Sequence, residues 1–542
     1  MKGSCALRPS LLRWSAHVAG AAIGVVATGG CNVGPRYEVP RVGTPTAFKE
    51  ASAAAYRGLP GGTWQPANPQ DGLLKGRWWQ LFREPELDEL EERLNIDNQT
   101  IVQYFQNFMA ARAQVNEARA GYFPTVSVSP LVALGGGAAA PSAANAGTSG
   151  ATTAYAGAVS GATAVTSLPT TSGSTGSSIT GTHYFSIPLE ASWAPDLWGR
   201  IRNTVSEYRY AAQVSAADLE NERLTEQASL AEYYFELRGQ DALQDLYNRT
   251  IEADRKTLDL TRAQYETGVG TAQAVAQAEV TLRTAEATAV GIAVSRALYE
   301  HAIATLIGRP ASDFAMPFKV LATAVPAIPI GLPSQLLQRR PDIAAAERTM
   351  AQANALIGVE KAAYYPSLSL SASGGLASTA LGTLFSVPSL FWSLGVSLSE
   401  TIFDGCLRDA TLAQYVAMYK ADVASYRQTV LTAFQQVEDY VATLRVLSQE
   451  IARQDLAVKA AQRYLDIAMA AYLTGLDPYL DVITAQTTLL GDEQTLVTLR
   501  VNEITAAVEL VQALGGGWDE AQLPQASDIT SARASRQLLE TP

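Results

Sequence analysis

The sequence predicts a membrane β-barrel that continues into a long α-helical coiled-coil barrel, with four strands supplied by each chain. Three observations lead to this fold class. Two helical stretches are far too long for one compact domain, short strands alternate apolar with small polar residues, and the complete pattern occurs twice. A unit of this kind cannot close a barrel by itself, so we expect several copies to assemble.

The longest helical stretch runs from residue 407 to residue 474, where neither glycine nor proline occurs. A helix of that length is about 100 Å long, at roughly 1.5 Å per residue. Gly475 interrupts it, Pro478 can begin a second helix, and that helix ends before Gly515. Apolar residues recur every seven positions, and a second set three positions later completes a coiled-coil pattern. The seventh positions are Val416, Val423, Val430, Val437, Leu444, Ile451, Val458, Leu465 and Tyr472.

Composition argues against several classes of function for this 542-residue chain. The formal net charge of −12 and the pI near 5.0 argue against a nucleic-acid partner, because no basic stripe is available to neutralise phosphates. Three cysteines are too few for a disulfide framework, and none of the three histidines lies near a second candidate ligand. The usual catalytic motifs are absent, so we predict no catalytic residue, no metal site and no cofactor.

The first thirty residues are typical of a secretory signal, with basic residues followed by an uncharged run from Val18 to Gly30. The run is too short for a transmembrane helix. Thr28 to Cys31 resembles a bacterial lipobox, although Thr28 replaces the usual leucine, so we expect Cys31 to be acylated. An ordinary signal with a stray cysteine is the alternative. Asn32 follows, not the aspartate associated with inner-membrane retention, which favours the outer membrane.

Two long helical hairpins and two pairs of strands divide the rest of the chain into two copies of one unit. The spacing between equivalent residues is 242 from Pro124 to Pro366, but 206 from Gly199 to Gly405 and 207 from Gly268 to Gly475. The length difference therefore lies in one loop, at 135–182, which has no charged residue. The predicted segments are a signal peptide at 1–30, a lipidated extended segment lying along a surface at 31–75, a first repeat at 76–310, a linker at 311–335, a second repeat at 336–517 and a tail at 518–542.

The predicted strands alternate apolar residues with Ser, Thr or Gly, as in Val126 and Val128 or in the stretch from Trp392 to Leu398. Such strands can face lipid on one side and water on the other. Four of them cannot close a barrel, and an open edge in lipid leaves backbone groups unsatisfied. Three chains would supply twelve strands, whereas two would supply eight and leave little bore. A soluble sandwich with one wet face is the alternative.

Several motifs, in a fixed order, give the chain a resemblance to a known family. They are Cys31 to Tyr37 with Pro40, Trp78 to Leu87, Leu332 to Ser334 with Arg339 to Ile343, and the duplicated hairpin. Together they resemble the TolC-like outer membrane factor family, and most closely its NodT/OprM-like lipoprotein branch, which serves resistance-nodulation-division (RND) efflux systems. The resemblance implies a homotrimer with a twelve-strand barrel in the outer membrane and a twelve-helix periplasmic tunnel. It also implies a periplasmic adaptor and an inner-membrane RND-type transporter as partners.

The resemblance places a gate at the hairpin tips, where helices converge or splay. Asp481 matches the family's aperture aspartate, and three copies would form an acidic ring that attracts cations. Tyr472 matches the tip tyrosine, and Gly268 and Gly475 are expected to turn the tips because glycine admits a positive φ. A solvated helix carboxylate is the alternative for Asp481. The family's second aspartate and its tip arginine are replaced by Thr484 and Asp477, and Ala274 stands at the corresponding place in the first repeat.

The function implied is an outer-membrane exit duct of a tripartite efflux pump, which passes small molecules such as drugs or toxic compounds to the exterior. The outer-membrane component of a type I protein-secretion system has the same architecture and is an alternative. A periplasmic coiled-coil adaptor lipoprotein is an alternative of another class, but an adaptor needs neither two hairpins nor lipid-compatible strands. An envelope enzyme is the weakest candidate.

Overall fold

A computed structural model describes residues 32–45, 47–50, 76–135, 182–320, 325–326, 328 and 333–529. The predicted acylation site Cys31 and most of the long loop lie outside these residues. The described chain divides into two compact units, one of helices and one of strands, the latter within residues 120–197 and 363–403. The helices are α1 (Pro85–Asp97), α2 (Gln99–Ala120), α3 (Arg200–Glu266), α4 (Ala272–Leu306), α5 (Pro333–Arg339), α6 (Pro341–Ala362), α7 (Leu407–Leu473), α8 (Tyr479–Ala513) and α9 (Ala526–Ile529).

The two predicted hairpins are confirmed as α3–α4 and α7–α8. The first limbs each have 67 residues and the return limbs each have 35. Along α7 the predicted seam is most deeply buried near its middle, where Val430, Val437 and Ala433 are fully covered. Further toward the tip the seam residues are mostly half-buried in the single chain. In the residues that the structure describes, no helix has the length and apolarity needed to cross a membrane.

The shorter helices and the linker pack around the part of the hairpins that lies away from their tips. α6 lies against both α3 and α7, while Val115 of α2 and Ala212 of α3 are buried in one small cluster with Ile529. Trp78, just before α1, and Leu87, in the first turn of α1, are fully buried in one apolar cluster with Tyr234 and Phe235 of α3. These contacts form the main apolar cluster, so the helical unit has a conventional core as well as its coiled-coil seams.

The described N-terminal residues are bound more tightly than a segment that only lies along a surface. The Tyr37 hydroxyl donates a hydrogen bond to Glu347 Oε1 at 2.5 Å. Phe48 is only 3% exposed in a cluster with α7 residues. The backbone amides of Lys49 and Glu50 donate to the two carboxylate oxygens of Glu438, at 2.7 and 2.9 Å. Residues 32–45 are all exposed or half-buried, whereas Phe48 belongs to the core.

The second unit is one antiparallel sheet in the order β1–β3–β4–β5, with β2 also paired to β3. β1 and β2 form one strand interrupted at Ser129 and Pro130, because proline has no N–H for the ladder. The alternation predicted from the sequence is confirmed, since Trp392, Leu394 and Val396 share one exposed face while Ser393 and Gly395 lie on the other. The strands are β1 (Thr125–Val128), β2 (Leu131–Gly135), β3 (Thr182–Trp193), β4 (Ser367–Ser378) and β5 (Leu390–Ser399).

The internal duplication appears as two constant offsets. Equivalent elements before the loop, such as α2 and α6, begin and end 242 residues apart. The long helices form two equivalent pairs, α3 with α7 and α4 with α8, and the members of each pair begin and end 207 residues apart. The equivalent of Gly199 is therefore Cys406, not Gly405 as the sequence suggested. Both residues precede a long helix in the left-handed region, at φ 84° and 70°.

Candidate functional site

The two hairpin tips have the same backbone turn. In the first, the amide of Gly268 donates to the carbonyl of Tyr265 and that of Val269 to Gln264; in the second, Gly475 donates to Tyr472 and Leu476 to Ala471. Gly268 and Gly475 have φ values of 78° and 75°. This pattern is a Schellman motif, which ends a helix on a left-handed residue. A side chain at either glycine would therefore strain the turn.

The return helices begin differently in the two repeats. The Thr271 side chain caps α4 by accepting a hydrogen bond from the Ala274 amide at 3.2 Å. Pro478 precedes α8, and Asp481 lies in the first turn of that helix, where a carboxylate interacts favourably with the helix dipole. Asp481 is half-buried, and among the described residues its carboxylate has no ionic or hydrogen-bonded partner. Thr484 and Asp477 are both exposed.

Tyr472 joins the two hairpins at their tips. Its hydroxyl donates a hydrogen bond to Oε1 of Gln264, which belongs to α3. Its ring lies 5.3 Å from the ring of Tyr479, centroid to centroid, and burial raises the pKa of the Tyr472 hydroxyl. Tyr479 is 5% exposed and packs in an apolar cluster that includes Leu258 of α3. The second hairpin is therefore held against the first by both a polar contact and aromatic packing.

Small side chains allow the helices near the tips to approach closely. The shared tip cluster contains residues from all four long helices. Because alanine adds little bulk, a wall of alanines lets neighbouring helices pack at short axial distances. The alanines in this cluster are Ala274, Ala278, Ala285, Ala289, Ala468 and Ala485.

Asp254 of α3 is a buried carboxylate that sequence reasoning missed. The residue is 4% exposed, and its Oδ2 has no hydrogen-bonding partner. Burial raises the pKa of Asp254 from 3.8 to about 6. Burial, followed by the Asp254 charge, raises the pKa of Tyr479. A signal was present in the sequence, because Asp254 lies three residues after Ile251 in the heptad pattern and so occupies a position reserved for the seam.

Among the described residues, no group of three His, Cys, Asp or Glu side chains is arranged to hold a metal ion. The tips instead combine fixed turns, an aromatic contact between hairpins and carboxylates of two kinds. Asp481 is partly open to solvent, whereas Asp254 is enclosed. Such an arrangement can attract ions and influence helix packing.

Comparison with known proteins gives consistent matches over nearly the whole chain. The family model described as outer membrane efflux protein matches residues 92–309 and 332–516. The toluene efflux pump outer membrane protein TtgC of Pseudomonas putida is 30% identical over 518 residues, which cover 94% of this chain and 97% of that protein. The pyoverdine export outer membrane protein OpmQ of Pseudomonas aeruginosa is 29% identical over 451 residues, covering 82% and 87%. The solved outer-membrane channel OprN superposes with a TM-score of 0.74 at 25% identity, covering 90% of this chain and 100% of that one.

Proposed function

Because this chain belongs to the outer membrane efflux protein family, we infer that it is the outer-membrane exit duct of an efflux pump. The observation that carries this function is the duplicated unit of lipid-compatible strands and long helical hairpins. The chain lies in the outer membrane, and its family consists of channels. We further propose that it passes small molecules, receives them from an inner-membrane RND-type transporter through a periplasmic adaptor, and performs no bond chemistry itself. Two relatives are named for toluene efflux and for pyoverdine export, and these names support this class of cargo.

We propose that the duct is a homotrimer, because the described strands of one chain form a sheet with two unpaired edges. One edge is the outer side of β1 and β2, and the other is the outer side of β5. Open edges in lipid leave backbone groups without hydrogen bonds, so another copy must cover them. The helical unit supports the same assembly, since α6 packs between α3 and α7 and its counterpart α2 would receive the α7 of a neighbouring copy.

The internal duplication predicts the register between copies. Within the chain, β3 pairs with β4 so that Ala191 lies opposite Ala372. Adding 207 to the residue numbers of β3 gives β5, and subtracting 242 from those of β4 gives β1 and β2. The β3–β4 pairing therefore predicts how β5 of one copy pairs with β1 and β2 of the next. The resulting register places Val132 opposite Val396, and both residues lie on the apolar face of the sheet. Opposed residues on antiparallel strands have Cα atoms about 4.5–5.5 Å apart, within the separation that a disulfide spans.

We expect the double variant Val132→Cys/Val396→Cys to form covalent dimers and trimers in the outer membrane on oxidation. The two residues lie on opposite edges of one chain's sheet, so this disulfide must join different copies. The measurement is non-reducing electrophoresis of the membrane fraction. As a control, Val132→Cys/Leu390→Cys moves the second thiol six residues along the same face, about 20 Å, and should not cross-link. Cross-linking of the control alone would contradict the register, and a protein that stays monomeric in detergent would contradict the trimer.

We propose that Asp481 contributes an acidic ring to the periplasmic mouth, with Tyr472 holding the mouth closed and Gly268 and Gly475 shaping its tips. Three carboxylates close together attract cations. Asp481→Ala should therefore weaken the block of single-channel conductance by divalent cations severalfold in planar bilayers, since no described residue neutralises the carboxylate. Asp466→Ala, at an exposed α7 carboxylate, is the matched control. An unchanged block in Asp481→Ala would remove this residue from the mouth.

We also propose that Cys31 carries lipid and tethers the chain to the outer membrane. Asn32, the next residue, is held near the start of α3, where the amides of Gly34 and the Asn203 side chain both donate to Asn32 Oδ1 at 3.1 and 3.0 Å. The mass of the N-terminal peptide under non-reducing conditions tests the proposal. A Cys31 found in a disulfide would contradict it, because an acylated cysteine has no free thiol.

A further inference from the structure

A polar cavity of about 480 Å³ lies beside the first part of α3, far along the helix from the tips. It is lined by α3, α5, α6 and the segment that follows α8, and we call it the α3–α6 cavity. The channel function uses none of its residues. Its principal lining side chains are Arg209, Tyr210, Gln213, Arg348, Asp519 and Glu520.

Two side chains of the α3–α6 cavity lack the partners that their neighbours have. Gln213 is only 8% exposed; its amide nitrogen donates to the carbonyl of Pro524 at 3.1 Å, and its Oε1 accepts no hydrogen bond from any described residue. Arg209 has a buried Nε without an acceptor, and within the described chain its guanidinium forms no ion pair. A buried polar atom left without a partner is costly. The pair therefore points to a bound group that supplies an acceptor to Arg209 and a donor to Gln213.

The remaining charges of the cavity restrict the chemistry of that group. Arg348 is already paired with Glu347 at 3.1 Å and with Glu520 at 3.0 Å. One oxygen of Asp519 accepts from the amide of Ala521 at 2.9 Å, which leaves the other oxygen for a ligand. An anion without a positive group would be attracted by Arg209 and repelled by Asp519. A cation without a negative group would be attracted by Asp519 and repelled by Arg209. A ligand with both charges satisfies both residues.

We propose that the α3–α6 cavity binds a small zwitterion of the amino-acid or short-peptide class. The ligand carboxylate pairs with Arg209, and its amide or ammonium N–H donates to Gln213 Oε1. The ammonium charge lies against the free oxygen of Asp519. Tyr210, whose ring is 6.3 Å from that of Tyr37, supplies an aromatic wall for the side chain. A volume of this size is ordinary for a small-molecule site. The proposal does not depend on the channel function.

The test uses the detergent-solubilised full chain and calorimetric titration with L-alanyl-L-alanine. We expect binding, and we expect acetylation of the amine or amidation of the carboxylate to weaken it at least tenfold. Arg209→Gln and Gln213→Leu should each weaken binding about tenfold or more, because each removes one hydrogen-bonded contact to the ligand. Arg262→Gln, at an exposed arginine of the same helix far from the cavity, should bind normally.

Helical circular dichroism and conductance establish that each variant is folded. Arg209 is partly exposed, so Arg209→Gln remains informative if Gln213→Leu fails to fold. No binding of the dipeptide at millimolar concentration would overturn the proposal, since it would leave the cavity to water alone. Equal binding of the doubly capped dipeptide, or equally tight binding of inorganic phosphate, would also overturn it.

Discussion

Asp241→Ala is expected to destabilise the helical unit by about 3–5 kcal/mol, the cost typical of breaking a buried ion pair. Asp241 is fully buried and accepts from Arg238 Nη1 at 2.9 Å and from Arg296 Nε at 2.7 Å. It also accepts from the backbone amide of Lys319 at 3.1 Å. Its removal leaves two arginines of α3 and α4 without a shared counter-charge, and the Arg238 side chain is 2% exposed.

The same network binds the linker between the two repeats. Arg238 donates to the carbonyl of Pro317 and Arg296 to that of Met316, both at 2.7 Å. Asp241→Ala should therefore expose the linker to limited proteolysis as well as lower the denaturant midpoint of the helical signal. Glu252→Ala, which removes an exposed pair with Lys256, is the control and should cost less than about 1 kcal/mol. Equal effects of the two changes would show that the network contributes no special stability.

Asp254→Asn is expected to stabilise the hairpin tips above pH 6 and to remove their response to acid. Because the pKa of Asp254 in the folded chain, about 6, exceeds its ordinary value of 3.8, folding favours the protonated carboxyl. The penalty is therefore fully present above pH 6 and is relieved as the pH falls toward 4. Tyr479 of α8, which faces Asp254, stays neutral over this range because its pKa is raised.

Hydrogen exchange of peptides from residues 247–262 and 475–490 measures this effect, with variant and parent compared at each pH. The parent should gain protection relative to Asp254→Asn as the pH falls from 7 to 5. Asp259→Asn, at an exposed carboxylate on the same helix, should behave like the parent. A constant difference across this pH range would mean that Asp254 does not titrate there.

The large elements could be predicted from the sequence because they depend on long, regular patterns. Heptads without Gly or Pro specified α7 almost to the residue, and Gly475 marked its end. The strands were predictable from their period of two. The repeated order of helices and strands was enough to predict the architecture, without any knowledge of side-chain contacts.

The features that escaped prediction depend on contacts between distant residues. An i,i+3 pair with Arg238 is common on solvated helix faces, and the other partners of Asp241 lie in another helix and in the linker, so the sequence does not reveal its burial. Asp254 was visible as an acid at a seam position, but its isolation from hydrogen-bond donors required the packed tip. Cys406 was misaligned by one residue because Gly405 beside it imitates the glycine of the first repeat.

The two offsets of the duplication have a consequence for engineering. In the second repeat, residues 379–389 connect β4 to β5, whereas the equivalent connection between β2 and β3 is several times longer, yet the strand register and helix lengths on either side are the same. The length of this connection therefore does not alter the flanking strands and helices, because lengthening a loop adds little closure entropy. Residues 136–181 are the natural position for grafting an epitope or a reporter peptide.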